Sequence, residues 1–213
     1  MAKNKIYTFL VAITFTFSGI GMSATAQDKS EQVKTNLYSK SPEEQASEFK
    51  KHGWSVSSRA QTMERQLFRA KLMQNDKNEN GEPKYVIGRG RGIESVYDAA
   101  KRLALESAKQ NIVTKVQSAI ASQIQSAIDN QQLSQDEGEI VLQVVQGCKG
   151  GIEQSIGRLI TIVEMSRNTR RGIEVIVTTA YNYDIIKEKV KTLIYNTLKQ
   201  QETNLSNKIE DCF

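Results

Sequence analysis

The stretch Tyr85-Val86-Ile87-Gly88-Arg89-Gly90-Arg91-Gly92 decides the fold, because it leads into the longest helical pattern of the chain, residues 95–129. Its alternation predicts a β-strand, on which residues two apart face the same side. The glycines would then share one face and the arginines the other: Gly88, Gly90 and Gly92 against Arg89 and Arg91. Three neighbouring positions without side chains predict that the following helix packs unusually close to the sheet.

A glycine-rich segment between a strand and a helix can also bind phosphate through its backbone N–H groups. The Rossmann fingerprint spaces its last two glycines three apart, and the Walker loop requires Gly-Lys-Ser/Thr. Neither pattern is present here. Close packing is therefore the favoured interpretation, and a ligand cleft near the Gly88–Gly92 run and Arg102 is the alternative.

From Ala108 onward, the apolar residues of the long helix are mostly four apart: Ile112, Val116, Ile120, Ile124 and Ile128. Each four-residue step advances about 40° beyond a full turn, so this stripe spirals around the helix. The alanine-rich first half is predicted to cover the sheet. The second half is predicted to face other helices or a partner chain.

The remaining patterns predict an α+β fold with a small three-stranded, mainly antiparallel sheet packed by long helices. β-branched residues dominate 159–166 and 172–183, and residues 167–172 between them have hairpin-turn chemistry. Helical patterns cover residues 58–74, the stretch after the capping box at Ser134, and residues 184–208. A short N-terminal helix starts after Ser41, and Trp54 is expected to cover one end of the core rather than to form a binding platform.

Residues 1–26 have the layout of a secretory signal peptide, with Lys3 and Lys5 before an apolar run and small residues ending at Ala26. The apolar run is about 15 residues long, shorter than the roughly 20 that cross a bilayer. Residues 27–57 would form a polar N-terminal extension with a helix, and residues 58–213 a single α+β domain. We therefore expect export to the periplasm or outer cell envelope, with no integral membrane span after signal removal.

The charge balance does not favour nucleic acid as a partner. The formal net charge of +5 falls to about +3 when the two signal lysines are removed. His52 is the only histidine, so neither a zinc cluster nor a histidine-based catalytic system is indicated, and no cofactor is expected.

Five arginines could form one basic face if their strands are neighbours: Arg89, Arg91, Arg167, Arg170 and Arg171. One interpretation is a solvated turn and an edge strand guarded by charge. The other is a dock for anionic envelope components or for an acidic partner surface.

Cys148 and Cys212 are the only cysteines, and in an oxidising compartment they could form a disulfide. An unpaired thiol and an intermolecular bridge are the alternatives. The loop Asp76–Gly81 matches the first half of an EF-hand, but its twelfth position falls on Ile87 instead of glutamate. Asn, Asp and Gly also dominate ordinary turns, so an exposed turn is favoured over a calcium site.

The chain resembles the lipoprotein-20-like family of bacterial cell-envelope proteins, relatives of the N-terminal domain of a flagellar assembly protein. The similarity lies in residues 85–90 leading to the alanine-rich residues 99–108, and in the late hairpin ending at Glu174-Val175-Ile176-Val177. The resemblance implies a small α+β domain, with three strands under long helices and no established enzymatic role. Unlike the lipidated members, this chain has no lipobox cysteine. Its cleavage region is similar to secretory signals of the Bacteroidota.

Together these patterns predict an exported, non-catalytic cell-envelope protein that acts as a binding or assembly module. Its partner would be an envelope protein or a second copy of itself. The alternative is a periplasmic ligand binder or enzyme that uses a cleft near the Gly88–Gly92 run.

Overall fold

The computed structural model describes residues 40–57, 59–200 and 205, so the expected signal peptide and residues 27–39 lie outside it. The described part is an α+β fold with a three-stranded antiparallel sheet in the order β1-β3-β2. This confirms the expected fold class. The elements in chain order are α1 (Pro42–Lys51), α2 (Met63–Asn75), β1 (Tyr85–Glu94), α3 (Tyr97–Asp129), α4 (Gln135–Gly147), α5 (Lys149–Ser155), β2 (Ile160–Thr169), β3 (Gly172–Asn182) and α6 (Tyr183–Gln200).

Local capping residues explain where the helices begin. Ser41 and Ser134 each form a complete capping box, with the glutamate three residues later, at the starts of α1 and α4. Helix α2 begins several residues later than the apolar pattern predicted. The reason is Thr62, whose hydroxyl accepts a hydrogen bond from the backbone N–H of Arg65 and so ends the preceding loop.

The sheet is covered by helices on both faces. Helix α3 lies on the face that carries the glycines, where Val175 and Val177 of β3 pack with the alanines of α3. Helices α1 and α2 supply the opposite face, with Ala46, Trp54 and Met63 packed around β2 and β3. Residues 40–57 of the expected polar extension therefore share a core with the sheet. Trp54 is buried there, as expected.

The second half of α3 extends beyond the sheet into a helical cluster. Its buried residues from Ile112 to Ala127 pack with buried side chains of α4, α5 and α6. This confirms that the second half of the helix faces other helices. None of the helices in the described ranges has the length and apolarity that crossing a membrane requires.

Side chains and a short bridge partly cover both edges of the sheet. On β1, Asn111 Oδ1 accepts from the backbone N–H of Arg89 at 3.2 Å, and Lys115 Nζ donates to the Ile87 carbonyl at 2.7 Å. On β2, Ser55 and Ser166 exchange two backbone hydrogen bonds of 2.9 Å. Exposed edge groups recruit further strands, and these contacts occupy several of them.

Candidate interaction surface

The Gly88–Gly92 run is packed against the backbone of α3 and does not form an open loop. A Cβ at Gly90 would overlap the Ala104 carbonyl oxygen and the Ala108 amide nitrogen. The equivalent atoms at Gly88 and Gly92 would also meet the α3 backbone. The run is an extended strand paired along its length with β3, so α3 fills the face where the alternative cleft was expected.

The hairpin turn is shorter than the sequence indicated. Thr169 and Gly172 close the hairpin, so the turn consists of Arg170 and Arg171, and Arg167 belongs to β2. The prediction that Arg167 lies at the hairpin tip is therefore wrong. Strand pairing extends further than composition suggested, because Arg167 pairs with Glu174, which lies directly opposite on β3.

Glu174 is a buried carboxylate that binds two of the five arginines. Its Oε2 lies 2.8 Å from Arg167 Nε, and its Oε1 accepts from Arg91 Nε. The Arg167 guanidinium also lies 4.6 Å from the centre of the Trp54 ring and donates to the His52 carbonyl at 3.1 Å. Buried charges need partners of this kind, so Arg91 and Arg167 hold β1, β2 and the N-terminal helices together.

The other arginines lie elsewhere on the fold. Arg89 lies two residues before Arg91 on β1. Burial lowers the pKa of Lys115, and the nearby positive charge of Arg89 lowers it further. Arg170 and Arg171 are exposed at the hairpin tip. The structure therefore places Arg91 and Arg167 in an ion-paired cluster, Arg170 and Arg171 at the tip, and Arg89 beside Lys115. A basic docking face formed by all five arginines stays a prediction.

A second polar cluster joins α3 to β2. Tyr97 Oη donates to Glu164 Oε1 at 2.5 Å, and Lys101 Nζ, one turn further along α3, donates to the same oxygen at 2.8 Å. Burial raises the pKa of Tyr97, and the hydrogen bond to the Glu164 carboxylate raises it further. The phenol keeps its proton at neutral pH, so the cluster is suited to holding the helix on the edge strand and not to acid–base chemistry.

Alkaline titration is expected to leave Tyr97 protonated after ordinary tyrosines ionise near about pH 10. Because folding raises the pKa of Tyr97, its contribution to stability is complete below about pH 10 and is lost as the pH rises through the folded value. Tyrosinate absorbance of the wild type and of Tyr97→Phe tests this. The spectrum of Tyr97→Phe should lack one tyrosine that ionises well above about pH 10. If the missing tyrosine instead ionises near about pH 10, the raised pKa of Tyr97 is contradicted.

The Asp76–Gly81 loop forms a turn that is hydrogen-bonded within itself and to α6. Asn78 Oδ1 accepts from the backbone N–H groups of Asn80 and Glu82 at 3.1 and 2.9 Å, and Asn78 Nδ2 donates to Asp184 at 3.0 Å. Lys187 binds Glu82 at 3.0 Å and lowers the pKa of that carboxyl. In the ranges that the structure describes, no group of three or more acidic, histidine or cysteine side chains is arranged to hold a metal ion.

Cys148 lies buried at the junction of α4 and α5, with its Sγ 3.9 Å from the Thr197 hydroxyl of α6. It is a free thiol in the structure. Cys212 lies outside the described residues, so a disulfide between the two stays a prediction.

A shallow cleft of about 580 Å³ lies where α2 ends beside the first residues of β1 and β2. Four of its lining residues are apolar or aromatic: Leu72 and Met73 from α2, Tyr85 from β1 and Ile160 from β2. The other three are polar: Arg69, Asn75 and Asp76. Leu72 is 56% exposed and Ile160 39% exposed, so both present apolar surface to solvent.

Sequence reasoning missed this surface because its residues come from three separate elements. One local signal was available. Phe68 and Leu72 are four residues apart on α2, so they share a helix face, and neither belongs to the stripe that faces the core. A pair of large apolar residues on the polar side of an amphipathic helix is an indication of an interaction surface.

The chain matches no protein-family model, no curated protein and no solved structure. The resemblance to the lipoprotein-20-like family therefore stays a prediction. The cleft beside α2 is the surface of the described residues on which the functional proposal is based.

Proposed function

We propose that the protein is an exported, non-catalytic component of the bacterial cell envelope that binds a partner protein through the cleft beside α2. The observation that carries the proposal is the exposed apolar wall formed by Leu72 and Ile160. Covering the part of these side chains that is still exposed would stabilise a complex by about 1 kcal/mol for each one.

The ionisable clusters support a binding role. Glu164, Glu174 and Glu82 each bind a cation of their own chain, and Glu164 also binds the Tyr97 phenol. Glu164 connects β2 to α3, Glu174 connects β3 to β1 and β2, and Glu82 connects the loop before β1 to α6. Their contacts are those of structural ion pairs, since each one joins different elements of the fold.

The form of the cleft favours a protein segment over a small molecule. Small-molecule sites usually enclose their ligand and add a few convergent polar groups to apolar walls. This cleft is open and does not enclose its contents, and its polar lining residues are Arg69, Asn75 and Asp76. An apolar side chain from a helix or extended segment would fit between Leu72 and Ile160. A second copy of the chain is the other candidate occupant.

Site-specific photo-crosslinking in cells tests the proposal. A photoreactive residue at Ile160 is expected to capture a defined envelope protein, and Ile160→Asp should abolish recovery of that protein. The matched control is Val96, which is 58% exposed and lies past the far end of β1, roughly 30 Å along the strand from the cleft.

The outcomes separate the candidates. Capture of the same protein at Val96 and Ile160, or capture that survives Ile160→Asp, would contradict binding in the cleft. A crosslink at the mass of two copies would identify self-association. Loss of the partner in Arg170→Glu/Arg171→Glu but not in Ile160→Asp would place the dock at the hairpin tip.

A further inference from the structure

Helix α2 carries apolar side chains on two opposite faces. Met63 and Ala70 face the core and are buried. Phe68 and Leu72 lie about 40° apart on the helix, roughly opposite Ala70. They are 51% and 56% exposed. An amphipathic helix normally places polar residues on this side, so the exposed apolar pair calls for a physical reason.

Cations flank this apolar pair on both sides. At about 100° per residue, Lys71 lies on one side of the pair, and Arg65 and Arg69 lie on the other. All three are exposed, and the ion pairs among the described residues do not include them. The acidic residue of α2, Glu64, is bound to Lys50 at 2.5 Å.

We propose that the outer face of α2, defined by Arg65, Phe68, Arg69, Lys71 and Leu72, docks the protein on an anionic lipid surface. Helices that lie in a membrane interface combine an apolar strip with flanking Lys and Arg. The aromatic and aliphatic side chains enter the headgroup boundary, while the cations reach the lipid phosphates. This goes beyond the proposed function and rests on it only for export, which gives the chain access to an envelope leaflet.

Lipid fits this face better than an acidic protein does. A specific protein interface buries about 800 Å² on each partner, and one side of a 13-residue helix is smaller than that, whereas the cleft adds residues of β1 and β2. A lipid surface needs few apolar anchors and imposes no fixed geometry on the cations. The cleft beside the same helix would then be held next to the membrane, with Leu72 at the border between the two surfaces.

The helix is fixed in the orientation that this docking requires. Gln66, on the buried side of α2, donates to the Gln61 carbonyl at 2.8 Å and accepts from the Glu164 backbone N–H at 2.8 Å. The Lys50–Glu64 pair joins α2 to α1. The outer face is therefore presented to solvent by a rigid element, and binding requires no rearrangement of the fold.

Vesicle flotation with the purified mature chain tests the proposal. The protein is expected to float with vesicles of phosphatidylglycerol and phosphatidylcholine, and to float poorly with phosphatidylcholine alone. Each cation strengthens binding about fivefold, so Arg65→Glu/Arg69→Glu/Lys71→Glu should weaken it at least about 100-fold. Phe68→Ser/Leu72→Ser should weaken it at least about tenfold.

The matched control reverses three exposed arginines elsewhere, Arg102→Glu/Arg170→Glu/Arg171→Glu, and is expected to bind almost as well as the wild type. If the control and the α2 triple variant lose vesicle binding equally, general charge attraction explains the binding and the proposal is overturned. Equal flotation on both vesicle types would overturn it as well. Circular dichroism and thermal melting establish that each variant is folded.

The vesicles contain no protein, so this result does not depend on the crosslinked partner. An absence of flotation together with a specific crosslink at Ile160 would overturn lipid docking and leave the proposed function standing. Flotation with anionic vesicles without a specific crosslink at Ile160 would support lipid docking and contradict binding of a protein in the cleft.

Discussion

Replacing Gly90 with alanine is expected to lower the free energy of unfolding by about 3 kcal/mol or more. The added Cβ would overlap the Ala104 carbonyl oxygen and the Ala108 amide nitrogen. Both atoms belong to the backbone of a long helix and cannot move aside as the end of a flexible side chain would. The helix would have to lift from the sheet and open the core around Val177. Urea denaturation followed by far-UV circular dichroism measures the change.

Gly150→Ala is the matched control. Gly150 lies in α5, and a Cβ there would meet no atom within 4 Å. Alanine also favours the helix, so this variant should be as stable as the wild type or gain up to about 1 kcal/mol. Similar midpoints for Gly90→Ala and the wild type would show that α3 does not rest directly on the strand.

The second large effect is expected at Glu174. Glu174→Gln should destabilise the fold by about 2 kcal/mol, because it removes the negative charge that the two guanidinium groups share. The side chain of Glu174 is only 2% exposed, whereas water can still solvate part of both guanidinium groups. Denaturant midpoints of the two proteins provide the measurement.

A double-mutant cycle shows which arginine contributes more. Arg167 is 31% exposed and also contacts Trp54 and the His52 carbonyl, whereas Arg91 is 59% exposed. Arg167→Met is therefore expected to be more destabilising than Arg91→Met and to couple more strongly to Glu174→Gln. Equal, small coupling energies for both arginines would mean that Glu174 is held mainly by other contacts.

The parts of the fold that were predicted correctly from the sequence depend on local chemistry or on strict periodicity. The alternating glycines of β1 predicted the close approach of α3, and the two serine–glutamate capping boxes marked where helices begin. The four-residue spacing after Ala108 predicted that α3 would turn from the sheet toward other helices. Each of these signals lies within a single element of the chain, so no knowledge of distant partners was needed.

The parts that it missed depend on contacts between distant residues. Arg167 looked like a turn residue because its partner Glu174 and its stacking ring Trp54 lie in separate segments. The cleft was missed for the same reason, since Leu72, Tyr85 and Ile160 meet only when the sheet has formed. The outer face of α2 could have been found locally, from the spacing of Phe68 and Leu72.

Helix α3 contributes to two hydrophobic regions, the glycine face of the sheet and the helical cluster, and this has a mechanical consequence. At about 1.5 Å per residue, its 33 residues form a rod about 50 Å long. One half of the rod is seated on the strands, and the other is enclosed by α4, α5 and α6. A force applied at either end is transmitted through an uninterrupted ladder of backbone hydrogen bonds. The two regions should therefore unfold together under force.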